Sequence, residues 1–230
     1  MCDNFEKGGR AMLPDIDEAL RYLGAGSHPP EELRRQAAAA AAELAAQVQP
    51  RYTFHVYSLT HENIGFRLDG TNLLLSGHTA ERMLSQCAQA ALVACTLGVK
   101  FDAMVRSAQA RDMARAVILD ACGSALVEKG CDEAERDIAA RFPGLYLTDR
   151  FSPGYGDLPL SLQPGICAVL DAGRRVGIHV TPSFLMNPSK SVTAVIGLSD
   201  RPQMARIRGC AWCAMRGTCT LRKGGKTCGL

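Results

Sequence analysis

The stretch Tyr52-Thr53-Phe54-His55-Val56-Tyr57-Ser58 decides the fold class. Its β-branched and aromatic residues suit a pleated, half-buried surface, and it follows directly on Pro50, which stops whatever precedes it. Together with Ile64 to Leu68 and Leu73 to Leu75 it predicts two or three strands joined by turns. Upstream, a helix is expected from Asp15 to Leu23, stopped by Gly24-Ala25-Gly26. Pro29 and Pro30 then open an alanine-rich helix to about Val48, with Glu31 and Glu32 at its positive end. Downstream, apolar residues recur at three- and four-residue spacings from Thr79 to Leu97 and from Ala108 to about Ala140, which predicts amphipathic helices. Strands are expected again at Leu145 to Thr148, Val176 to Val180 and Val192 to Leu198, with a helix from Leu160 to Leu170. Helices, strands, helices and strands in that order imply an α+β fold with a mostly antiparallel, twisted sheet and packed helices. The expected divisions are a helical segment over 1–50, the α+β domain over 51–200 and a tail over 201–230.

The bulk composition limits the function classes. Of 230 residues, 47% are hydrophobic, enough for a substantial core, and a net charge of +3 provides no overall field for nucleic acid. No apolar run reaches the roughly 18 residues of a membrane span, and Met1-Cys2-Asp3-Asn4 opens no export signal, so a cytoplasmic protein is expected. A Gly-x4-Gly-Lys loop and a Gly-x-Ser-x-Gly elbow are both missing, which argues against a nucleotide triphosphatase and a serine hydrolase. The five histidines are isolated from one another. His55 and His179 fall on expected strands, as half-buried structural residues.

Ten cysteines in a cytoplasmic chain point to free thiols or metal ligands. Cys87, Cys95, Cys122, Cys131 and Cys167 are scattered through apolar sequence, where a thiol behaves as a small hydrophobe. Cys210, Cys213, Cys219 and Cys228 form a Cys-x2-Cys-x5-Cys-x8-Cys cluster instead. So short a tail has no core of its own, and a metal centre is the physical way to order it. Structural zinc sites favour two Cys-x2-Cys knuckles, and only the first pair has that form. An iron–sulfur cluster tolerates more varied spacing, and Arg206, Arg208, Arg216, Arg222, Lys223 and Lys226 would offset its charge. An iron–sulfur cluster is therefore the expected occupant, with zinc and unliganded or redox-active thiols as the alternatives.

Two further segments bear on function. Arg150-Phe151-Ser152-Pro153-Gly154-Tyr155-Gly156-Asp157-Leu158-Pro159 lies between an expected strand and helix. An arginine there can grip a carboxylate through two parallel bonds, a glycine admits close approach, and a tyrosine offers a flat face with a polar tip. Further on stands Val180-Thr181-Pro182-Ser183-Phe184-Leu185-Met186-Asn187-Pro188-Ser189-Lys190-Ser191-Val192. In order and separation, the pair resembles the activation (reactivation) domain of cobalamin-dependent methionine synthase. That family's patterns are Arg-x-x-x-Gly-Tyr-x-x-x-Pro and Leu-Thr-x-Ser-Phe-x-Met-x-Pro-x-x-Ser-Val.

The resemblance implies a curved α+β plate that binds S-adenosylmethionine and docks over a corrinoid domain. There it supports reductive methylation of cob(II)alamin, with an electron from a flavodoxin- or ferredoxin-type donor. Carried over position by position, it implies that Arg150 holds the S-adenosylmethionine carboxylate, that Ser152 and Gly154 give backbone contacts, and that Tyr155 lies against the ligand or the corrin. The implied partner is a corrinoid-binding methionine synthase or related methyltransferase. Cobalamin would be met only through that partner, since the chain lacks the Asp-x-His-x-x-Gly signature of a cobalt ligand. Two departures stand out. Ser124 occupies a place where the family has an acidic residue, between the matching Asp120 and Glu128, and the family's tyrosine beyond the Ser-Val strand is unmatched.

Overall fold

The computed structural model describes residues 12–26, 28–203, 217–218 and 223, and the backbone of 5–8. Helix α1 (Ile16–Tyr22) starts where the Asp15 carboxylate accepts from the Glu18 amide at 3.1 Å. The Asp15 cap occupies an otherwise orphaned donor, and Asp17 and Glu18 in the first turn favour the positive end of the helix. Helix α2 (Glu31–Gln47) follows Pro30, and its Ala37, Ala40, Ala41 and Leu44 are buried. Small side chains let this face lie close against the long helix α5 (Met113–Arg141), which is capped by Asp112 and spans about 43 Å at the usual helical rise. Helix α4 (Gly98–Gln109) packs on the same side.

Strand β2 (Arg51–Glu62) is longer than expected and divides its partners. Arg51 to Ser58 pair with β5 (Gln89–Thr96), and Leu59 to Glu62 pair with β3 (Gly65–Leu68), which in turn pairs with β4 (Leu74–Leu75). On its outer side β2 takes β1 (Phe5–Gly8). The order continues from β5 to β9 (Ser191–Ser199) and ends at β6 (Tyr146–Leu147). Every pairing among the described strands is antiparallel, including a separate hairpin of β7 (His179–Val180) and β8 (Met186–Asn187). The α+β architecture with its antiparallel sheet is thus as expected.

The sheet is covered on both faces. Tyr52, Phe54, Val56, Ala91, Val93, Cys95, Ala194 and Ile196 meet α1, α2, α4 and α5 in one core. Ala90, Leu92, Ala94 and Val195 face the other core, built with α3 (His78–Leu84), α6 (Gln163–Val169) and α7 (Ala172–Val176). Gly130 of α5 permits the closest helix–sheet approach, because a Cβ there would stand 2.6 Å from Pro50 and 2.8 Å from the Cys95 sulfur. The five scattered cysteines are free and buried, and burial pushes the Cys87, Cys122 and Cys167 thiols up to about 11, so they act as small apolar groups.

Three expectations need correction. Residues 79–97 are not one helix: α3 ends at Leu84, and Gln89 to Thr96 form the central strand β5. Both faces of β5 are buried, so its sequence shows no period of two, and Ala90, Ala91 and Ala94 mimic helix composition. Helix α4 was not foreseen, because it follows β5 with only Leu97 between them. The strand expected from Val176 shrinks to His179–Val180, since Val176 closes α7 and Gly177, at φ +79°, caps it. His55 is half-buried on β2 as expected, whereas His179 is exposed.

Candidate functional site

Arg150 is positioned by an irregularity at the edge of the sheet. Thr148 donates to the Gly197 carbonyl at 3.0 Å, and Phe151 and Val195 exchange backbone bonds at 3.0 and 2.7 Å. Between these points the outer strand advances three residues against two on β9, a bulge, and the ordinary alternation of a strand then sends Arg150 and Phe151 to opposite faces. Phe151, 2% exposed, enters the core shared with α3 and α6, and Arg150 reaches across to α5.

On α5, Glu128, Asp132 and Glu135 follow one another at helical spacing and converge on this guanidinium. Arg150 Nη2 lies 2.5 Å from Glu128, and Nη1 lies 2.7 Å from Asp132 and 2.5 Å from Glu135. The arginine side chain is 10% exposed, and the carboxylates at 38%, 49% and 24% reach solvent. Burial works against the cation, but Cys131, Glu135 and Glu128 around it, with the hydrogen bond to Glu128, together outweigh it and raise the Arg150 pKa. Three carboxylates of α5 thus converge on one guanidinium.

A second cation meets the same helix further toward its start. Lys190 Nζ lies 2.9 Å from Asp120 and 2.9 Å from the Ser124 hydroxyl, and its own carbonyl accepts from the Leu97 amide at 3.0 Å. Ser189 beside it bonds Asp102 of α4 through hydroxyl (2.6 Å) and amide (3.1 Å). The segment from His179 to Val192 therefore makes the β7–β8 hairpin and then straps α4 to α5. Phe184, at φ +65°, sits in the hairpin turn and is 37% exposed.

The structure brings Arg150 together with Glu128 and sets Lys190 against Ser124 and Asp120. Ser152, Gly154 and Tyr155 form a compact turn that leads away from α5: Tyr155 donates to the Ser152 carbonyl at 3.0 Å, and the Gly154 amide to Leu158 at 2.8 Å. With its amide engaged, the backbone contact expected of Gly154 would fall to its carbonyl. Tyr155 is 42% exposed at the tip. Asp132, Glu135 and Lys190 were not singled out from sequence. The acidic stripe at positions 128, 132 and 135 was a readable signal for the first two, whereas the reach of Lys190 depends on long-range topology.

Two clefts of about 270 and 400 Å³ lie elsewhere, on either side of the Arg115–Glu43 ion pair between α2, α4 and α5, and contain none of these residues. Among the described residues no group of three or more His, Cys, Asp or Glu is placed to hold a metal ion. Cys210, Cys213, Cys219 and Cys228 lie outside the described residues. No described helix is long and apolar enough to cross a membrane.

The architecture is α+β, one antiparallel sheet covered by helices on both faces. Among solved structures the chain is similar to a crystal structure of the MetH reactivation domain bound to AdoHcy, with a TM-score of 0.59 and 13% identity over 97% of this chain and 86% of that one. No protein-family model matches the chain, and no curated protein does. At that identity the likeness establishes the fold.

Proposed function

We propose that the protein is an activation module that works in trans on a corrinoid methyltransferase, a cobalamin-dependent methionine synthase in the first instance, and binds S-adenosylmethionine beside Arg150. The observation that supports this most is fold likeness to a reactivation domain over nearly the whole chain, beside which Arg150, the arginine of the resembling motif, is anchored on α5. The ligand is a zwitterion with a sulfonium charge. Its carboxylate would take the side of the Arg150 fork held by Asp132, the most exposed of the three acids, while Glu128 turns to the ligand's ammonium. The remaining carboxylates would favour the sulfonium. Ser152 and Gly154 would offer backbone atoms and Tyr155 its ring to the ligand or the corrin.

In this reading the partner's corrinoid, once reduced by one electron from cob(II)alamin to the cob(I) level, would accept the methyl group of S-adenosylmethionine, and S-adenosylhomocysteine would leave. A flavodoxin- or ferredoxin-type protein would deliver that electron. The four tail cysteines, as ligands of an iron–sulfur cluster or less readily of zinc, are proposed as its local relay from their sequence alone. The test is reconstitution: added in trans with a low-potential reductant and S-adenosylmethionine, the protein should restore turnover to methionine synthase trapped as cob(II)alamin. No restoration under any reductant overturns the proposal.

One observation favours a second reading. The Arg150 fork is already filled by the protein's own carboxylates, as in a fold kept as a protein-binding scaffold with a metal-stabilised tail. Tight binding to the methyltransferase with no affinity for S-adenosylmethionine would select it.

A further inference from the structure

The loop that follows Arg150 has few ties of its own. Arg150 and Phe151 are fixed by α5 and β9, and Leu158, 1% exposed, plugs the core on the far side. Between them Ser152 to Asp157 are held by three short-range backbone bonds, with Tyr155 at the tip. Such a turn can tilt as a unit unless something outside it holds on.

That outside hold is the Asp157 carboxylate. It accepts from the His78 amide at 2.5 Å and from the Thr79 amide at 2.8 Å, which are the first donors of α3. Gly77, the residue before α3, supplies no side-chain cap, so the cap arrives from a loop some eighty residues further along the chain. Both sides of the contact are shaped for it. A Cβ on Gly77, at φ +102°, would stand 2.8 Å from the Asp157 carboxylate, and one on Gly156, at φ +57°, would stand 2.4 Å from the Thr79 hydroxyl. Hydrogen bonds from Thr79 and His78 hold the Asp157 carboxyl down to about 2, so the contact stays charged throughout the physiological range.

We propose that Asp157 is a positioning residue, a latch that clamps the Ser152–Asp157 turn onto the start of α3 and so fixes where Ser152, Gly154 and Tyr155 stand relative to Arg150. The latch rests on the reading of that turn as part of an S-adenosylmethionine site, which it refines. The resemblance pattern leaves position 157 open.

Hydrogen exchange and ligand calorimetry on the full chain separate the two ideas. In Asp157→Asn the amides of residues 78–79 and 154–158 should exchange about tenfold faster, with α5 protection unchanged. Affinity for S-adenosylmethionine should drop about fivefold while the Arg150 ion pairs persist and Tm changes little. Gly77→Ala, which forces a methyl group against the carboxylate, should reproduce both effects with Asp157 intact. Unchanged exchange in the turn, or faster exchange spread evenly over the chain, overturns the latch. So does loosening of the turn with undiminished affinity. Failure of the unaltered protein to bind S-adenosylmethionine would overturn the site instead, and the exchange arm alone would then decide the mechanical role of Asp157.

Discussion

Arg150 and Lys190 both bring a cation to helix α5, and the two contacts differ in depth. Arg150 is 10% exposed and binds three carboxylates; Lys190 is 20% exposed and binds one, Asp120, itself 51% exposed, plus a hydroxyl. A guanidinium fork can hold several oxygens in one plane, whereas an ammonium is a compact, strongly hydrated point charge. The first contact therefore joins the sheet edge to α5 as a structural element. The second is a surface strap whose electrostatics are screened by salt. A ligand carboxylate would have to compete at Arg150 but would find it already oriented.

The largest expected effect comes from breaking the deeper contact. Arg150→Ala strands three carboxylates together and should cost roughly 2–4 kcal/mol in urea unfolding, at the lower end because the acids reach solvent. Arg150→Lys should recover only part of this, since one ammonium cannot satisfy three acids along the helix. Lys190→Ala should cost under about 1 kcal/mol, and 0.5 M salt should shrink that cost further. Equal losses for the two alanine variants would erase the distinction between lock and strap.

The smallest effect is on the opposite face of the sheet and serves as a reference for both. Burial holds the His55 pKa below the usual value, and Arg141 and Arg175 act in the same direction. The folded state thus resists the proton that the unfolded chain accepts. Stability is undiminished above about pH 6.5, the ordinary imidazole value, and falls as pH drops below it toward the lowered folded value. His55→Gln should flatten this slope between pH 7.5 and 5.5 without altering the Arg150 or Lys190 comparison. An unchanged slope would assign the acid sensitivity to other groups.

What could be read from the sequence followed the locality of each signal. Helices α1 and α2 announce themselves through Asp15, Pro30 and the Gly24 stop, and β2 through its alternating aromatic and β-branched residues. Strand β5 was illegible because burial on both faces removes the alternation that marks a strand, and its alanines favour the wrong reading. At the candidate site, Arg150, Ser152, Gly154 and Tyr155 stood out through local chemistry and spacing. The partners Asp132, Glu135 and Lys190, and the hold of Asp157 on His78 and Thr79, depend on segments brought together across the sheet. Spacing along the chain marks the acidic stripe that holds Asp132 and Glu135 but carries no direct trace of the cation they meet, of the reach of Lys190 or of the hold of Asp157.

The Arg150 contact on α5, and not the Lys190 contact, is the proposed anchor of an S-adenosylmethionine site. Calorimetric titration of the unaltered chain, Arg150→Lys and Lys190→Ala with S-adenosylmethionine tests it most directly. The account predicts saturable one-to-one binding by the unaltered chain, affinity within about threefold for Lys190→Ala and a loss of about a hundredfold or more for Arg150→Lys. No heat from the unaltered chain, or equal affinity in all three, would contradict it.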